Sequence, residues 1–144
     1  MVNSASGTFS KAVRIRSQAD FARVFEFRRT AAAGGLVLHA CPSATGATRL
    51  GMSVSRRIGN AVVRNRWKRR LREAFRGVQS RLPPGNDFVF VVRSGPAPRG
   101  AAGAREVEET LLALATRVVG RPGYAAAADG LKSDNPPPGR RRRS

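Results

Sequence analysis

The 144 residues predict an α+β fold, a single sheet with helices packed against it. Three observations carry that expectation. Arg49 to Ser55 alternates apolar and polar side chains, the period of a half-buried strand. Phe88 to Val92 is apolar at every position, as in a central strand covered on both faces. Between these two, Val63, Trp67, Leu71, Ala74, Phe75 and Val78 recur at helical spacing, so the segment from about Asn60 to Ser80 reads as one long amphipathic helix. The element order is α, (β), β, β, α, β, α, a sandwich of one sheet and one helical layer. Its strand–helix–strand unit would ordinarily be a right-handed crossover.

Taken in order, residues 1–10 are small and polar and are expected to be disordered. Val13 to Ile15 lead in as an extended segment. Ser17 is a good N-cap, with Asp20 near the positive end of the helix that follows. Phe21, Val24 and Phe25 then stand at i, i+3 and i+4, predicting a short helix over Gln18–Phe27. Arg28 to Gly35 is ambiguous, with room for a short edge strand. Leu36 to Cys41 is a strand with Leu36, Leu38 and Ala40 on one face and Val37, His39 and Cys41 on the other. Pro42 to Ala47 turns the chain. In the next strand Leu50, Met52 and Val54 point one way, and Arg49, Gly51, Ser53 and Ser55 the other. Gly59 and Asn60 open the long helix, and Leu82-Pro83-Pro84-Gly85-Asn86 stops it. Ser94 to Gly103 is a Gly/Pro/Ala loop. A last helix runs from about Ala104 to Val119 on the stripe Val107, Leu111, Leu114, Ala115 and Val118. Glu106, Glu108 and Glu109 near its start, Arg117 near its end and Gly120 as its cap agree with the helix dipole. The folded domain is therefore 11–120. The remainder, 121–144, is Ala/Gly/Pro-rich, closes on Arg140 to Arg143, and is expected to stay disordered with at most loose phosphate contacts.

Charge narrows the function. The formal net charge is +18. Arginine outnumbers lysine 24 to 3, which favours planar, bidentate contact with phosphate. From Arg56 to Arg76 nine basic residues stand against one acid, Glu73, which is +8 over 21 residues. Ordinary solvated helix faces mix signs. Here Arg66 faces Arg70, Lys68 faces Arg72 and Arg72 faces Arg76, a repulsion that an external anion would offset. The balance points to nucleic acid first and an acidic membrane surface second. Cys41 is the single cysteine, which excludes an internal disulfide and fits a reducing cytoplasm. No apolar run approaches the ~20 residues of a transmembrane helix, and the N-terminus lacks the apolar core of a secretory signal.

The residues offer little catalysis. His39 is the only histidine, so mechanisms and metal sites built on two histidines are excluded. The Glu106 cluster is better explained by the helix dipole than by metal binding. His39 and Cys41 share a strand face, but no orienting partner makes them a nucleophile pair. There is no P-loop, GxGxxG or HExxH.

Arg64-Asn65-Arg66 followed by Lys68-Arg69-Arg70-Leu71-Arg72-Glu73, with the lead-in Ser55-Arg56-Arg57-Ile58-Gly59-Asn60-Ala61-Val62, resembles the RNR signature of the bacterial ribonuclease P protein subunit. The resemblance extends from about Lys11 to Gly120. Trp67 stands where a smaller aliphatic residue is usual; it lies on the apolar stripe and reads as packing. The resemblance implies a ribosomal protein S5 domain 2-like fold with a left-handed βαβ crossover. It implies that Arg56, Arg57, Arg64, Asn65, Arg66, Lys68, Arg69 and Arg72 meet the catalytic RNA. It further implies that a groove of Phe21, Phe25, His39, Ser53, Ser55 and Arg93 receives the 5′ leader of precursor tRNA, with His39 where an aromatic is common. Hydrolysis would then fall to the RNA subunit with Mg2+ mainly on RNA, leaving this chain an endoribonuclease component with no catalytic or metal-ligating residue.

Apart from the resemblance, strand alternation puts His39, Gly51, Ser53 and Ser55 on one sheet face, with Arg93 at the last strand. Gly51 keeps the floor low and the serines donate hydrogen bonds, the mixture a single nucleic-acid strand needs. Phe21 and Phe25 either wall this face or belong to the core; spacing leaves both open. The competing assignment is a ribosomal or other structural RNA-binding protein. A DNA-binding zipper is disfavoured because Leu82-Pro83-Pro84 ends the helix, and a membrane-surface helix because the apolar stripe is needed for the core.

Overall fold

Strand β4 (Asn86–Val92) lies inside the sheet, as its unbroken apolar run requires. It pairs antiparallel with β2 (Leu36–Pro42) and parallel with β3 (Arg49–Val54), while β1 (Thr30–Ala33) pairs antiparallel with β2, giving the order β1-β2-β4-β3. The computed structural model describes residues 13–134; the expectations for residues 1–10 and for Arg140 to Arg143 lie outside them. Arg14 bridges Leu50 in parallel and Ile15 N–H donates to the Leu50 carbonyl at 3.0 Å, so the lead-in runs along the β3 edge.

Helix α2 (Ala61–Val78) joins the parallel pair β3 and β4. Asn60 caps it, its side-chain oxygen accepting from Val63 N–H at 3.1 Å. Gly59 precedes the cap with φ 155°, and a Cβ there would lie 3.0 Å from the Val63 side chain. Trp67, Leu71, Ala74, Phe75 and Val78 are buried, following the predicted stripe. They pack with Leu38, Ala40, Leu50, Phe88, Phe90 and Val92 from the sheet and with Val107, Leu111, Leu114 and Val118 from helix α3 (Gly100–Val119). Each large apolar side chain fully buried there contributes about 1.5–3 kcal/mol. Helix α1 (Gln18–Phe27), capped by Ser17 at Asp20 N–H, lies on the opposite face with Ile15, Val24, Cys41 and Val89. The sandwich of sheet, α2 and α3 thus carries a partial third layer.

Two expectations change. First, α3 begins at Gly100, four residues before the predicted start, so its first turn holds no acidic residue and Glu106, Glu108 and Glu109 fall beyond it. Their dipole role is withdrawn, because the end effect fades within one turn. Second, the tail expected to stay disordered from Arg121 folds over Pro122–Asp134 as helix α4. Tyr124 is its anchor: only 4% exposed, it stacks edge-on against Phe27 at 5.5 Å and donates its hydroxyl to Asn86 Oδ1. Gly120 ends α3 with φ −76° rather than a left-handed value, and the chain turns directly into α4.

Candidate nucleic-acid interface

Strand register lays the α1 face out in rows. Arg49, Asp87 and Cys41 form the first, Gly51, Val89 and His39 the second, and Ser53, Val91 and Val37 the third. The first row is buried, the second mostly so, and the third only half-buried. Ser55 and Arg93, just past the strand ends, are exposed. Helix α1 therefore closes one end of this face and leaves the other open. The closed end is locked by charge: Arg49 donates to Asp87 through Nε at 2.8 Å and NH2 at 2.7 Å, and Asp20 and Arg23 approach the pair. The hydrogen bond to Asp87 raises the Arg49 pKa. A buried pair of this kind stands only when both members are present. Burial pushes the Cys41 thiol up to about 11, which makes it a poor nucleophile.

Phe21 and Phe25 divide the roles that spacing left open. The Phe21 ring rests on Gly51, where a Cβ would come within 3.0 Å of its Cε1 and Cζ, so it is half-buried and any side chain at Gly51 would displace it. Phe25 is 37% exposed. Its ring meets His39 edge-on at 4.7 Å and lies 6.4 Å from Phe21. Burial lowers the His39 pKa, favouring the neutral ring, and His39 Nδ1 has no hydrogen-bond partner. Phe25, His39 and Ser53 thus share the open part of this face, a candidate groove, with Phe21 over Gly51 beside them, while Ser55 and Arg93 stand at its mouth.

At that mouth the chain passes through Ser55 into a 3-10 turn, Arg56–Ile58, and then α2. Arg56, Arg57, Asn65, Arg66 and Arg69 are exposed; Arg64, Lys68 and Arg72 are half-buried along the flanks of the helix. Arg70 is engaged internally, its Nε donating to the Pro98 carbonyl at 3.1 Å and NH1 to Glu73 at 3.2 Å. Three features escaped sequence reasoning. The Trp67 indole, read as packing alone, also donates to the Gly95 carbonyl at 3.0 Å. Val91, inside the apolar run of β4, pairs with both Ser53 and Val37 and so completes the third row of the face that alternation had already given to Val37. Arg99, from the loop before α3, joins Arg66, Arg69 and Arg70 around a cavity. Only the isolated Arg99 in a Gly/Pro loop signalled any of this, and weakly. Among the described residues no group of three or more His, Cys, Asp or Glu side chains fits a metal ion, and no helix is long and apolar enough to cross a membrane.

A basic helix docked on a sheet, next to a half-open sheet face that carries the Phe25 and His39 rings with Ser53 among valines, defines an α+β RNA-binding domain. A family model described as Ribonuclease P matches residues 9–118. The Ribonuclease P protein component of Roseiflexus sp. (strain RS-1) is 37% identical over 124 residues, 86% of this chain and 97% of that protein. That of Roseiflexus castenholzii is 44% identical over 84 residues, 58% of this chain and 69% of that protein. The solved RNase P protein from Thermotoga maritima is similar with a TM-score of 0.60 at 28% identity, covering 73% of this chain and 96% of that one. The chain belongs to the ribonuclease P protein family.

Proposed function

We propose that this chain is the protein subunit of a ribonuclease P holoenzyme: it binds the catalytic RNA along α2 and holds the 5′ leader of precursor tRNA in the α1 groove. The observation that supports this best is the continuity of the two surfaces. The open mouth of the groove at Ser55 leads within two residues to Arg56 and Arg57 and then into the arginines of α2. A leader lying in the groove is thereby held beside the RNA that cuts it. The division of labour follows from the side chains. Exposed Arg56, Arg57, Arg66 and Arg69, with Arg64, Lys68 and Arg72 on the flanks, neutralise phosphates, and Asn65 adds hydrogen bonds. Phe25 stacks on an unpaired base; neutral His39 adds a flat ring beside it; Ser53, Ser55 and Arg93 meet the leader backbone. Hydrolysis belongs to the RNA subunit. Mg2+ held mainly by RNA phosphates supplies charge neutralisation there, and this chain contributes orientation and affinity rather than a reacting group.

Reconstitution tests the assignment against a purely structural RNA-binding role. The full chain, mixed with a bacterial ribonuclease P RNA and precursor tRNA at low magnesium, should accelerate 5′ cleavage. Acceleration no greater than an inert basic protein provides would return the chain to the ribosomal-type alternative.

A further inference from the structure

The cavity between α2 and the loop before α3 has a volume of about 250 Å³ and is lined by Arg66, Arg69, Arg70, Ala97, Pro98 and Arg99. It is a built feature. The loop is pinned to α2 at two points, by the Trp67 indole on the Gly95 carbonyl and by Arg70 Nε on the Pro98 carbonyl. Its far end is clamped to α3: Gly103 is buried, and a Cβ there would lie 2.5 Å from the Pro98 carbonyl carbon. Ala97 is buried beneath it. Arg99 is consequently held across from Arg66 and Arg69, which stand three residues apart on one helix face.

Four guanidinium groups around one small cavity repel each other, and the protein relieves little of this. Arg70 is paired with Glu73, whereas Arg66, Arg69 and Arg99 take part in none of the ion pairs among the described residues. The cavity also borders the start of α3. Arg99 is the N-cap residue there and gives no side-chain cap, the first turn carries no acid, and the first intrahelical bond is Gly103 N–H to the Arg99 carbonyl. The N–H groups ahead of it have no helical acceptor and carry the positive end of the dipole. The volume falls below the roughly 300–1,000 Å³ of small-molecule sites, so it suits a phosphate group better than a whole nucleotide. Two of its walls, Arg66 and Arg69, are continuous with the exposed arginine face of α2.

We propose that this cavity is a site for one backbone phosphodiester of the RNA that α2 binds, gripped between Arg66 and Arg69 on one side and Arg99 on the other. The proposal rests on the RNA-subunit assignment above and adds to it a second element, the pinned loop, as part of the contact surface. Trp67 acts as a positioning residue for that loop.

The test uses the full chain and a bacterial ribonuclease P RNA, with equilibrium binding measured over a salt series. Arg99→Ala should keep the wild-type thermal transition, weaken RNA binding about tenfold, and make the slope of log K against log salt shallower by about one. Wild-type affinity and slope in Arg99→Ala would overturn the proposal. Inorganic phosphate supplies the second arm: its titration should shift the Arg66 and Ala97 amide signals of the wild type and not of Arg99→Ala. Phosphate binding without any effect of Arg99→Ala on RNA would mark a free-anion site instead, and also overturns the assignment. Cleavage stimulation by the wild type judges the parent assignment separately, so the two can fail independently.

Discussion

Phe25 is the residue at which binding and stability separate most cleanly. A ring that is 37% exposed contributes little to the core, and its neighbours are His39 and Phe21 rather than the main cluster. Phe25→Ala should therefore weaken the holoenzyme's hold on precursor tRNA by about 1–3 kcal/mol, the range of base–aromatic stacking. Mature tRNA, which has no leader, should bind as before. Affinities for the two ligands, measured with protein of unchanged thermal transition, decide the matter; equal losses for both would mean that the ring is merely structural. Phe21 is the wrong residue for this experiment, because its ring fills the space above Gly51. Helical spacing placed both rings on one side of α1. Which of them reached solvent depended on Gly51, a residue thirty positions away in sequence.

At the scale of elements, α4 carries the clearest lesson. An Ala/Gly/Pro-rich tail reads as unable to bury enough to fold. Yet Pro122 sits at the first helical position, where its missing N–H costs nothing, and Ala125 to Ala128 are strong helix formers. One aromatic suffices as anchor because Tyr124 joins the main core cluster and packs edge-on against Phe27. Burial pushes the Tyr124 pKa up, so its hydroxyl remains a donor to Asn86. Tyr124→Phe keeps the ring and removes that bond, leaving buried Asn86 Oδ1 unpaired, and should cost about 1–3 kcal/mol in urea unfolding. An unchanged midpoint would mean that α4 is held by ring packing alone.

For the molecule as a whole, the net charge of +18 matters through its placement. The +8 concentrated between Arg56 and Arg76 should dominate association with folded RNA. About six phosphate contacts predict a slope of roughly −4 to −5 in log K against log salt. A filter-binding series between low and physiological salt measures it, and a slope shallower than about −2 would remove α2 as the main contact surface.

Periodicity, capping residues and charge runs are local, and they determined most of the chain directly. The α1 limits, the apolar stripe of α2 with its Asn60 cap, the interior position of β4 and the basic face all follow from neighbours within a few residues. Strand alternation likewise put His39, Gly51 and Ser53 on one face before any pairing was known. The tertiary structure decided what depends on residues distant in sequence. Sheet order brought β2 and β3 to either side of β4 and turned separate strand faces into one groove. Contacts between elements moved the start of α3 to Gly100, docked Tyr124 on Asn86, and tied Trp67 to Gly95 so that Arg99 faces Arg66 and Arg69. The physical reason is that a side chain's exposure and hydrogen-bond partner are set by whatever packs over it, and sequence spacing does not encode what that will be.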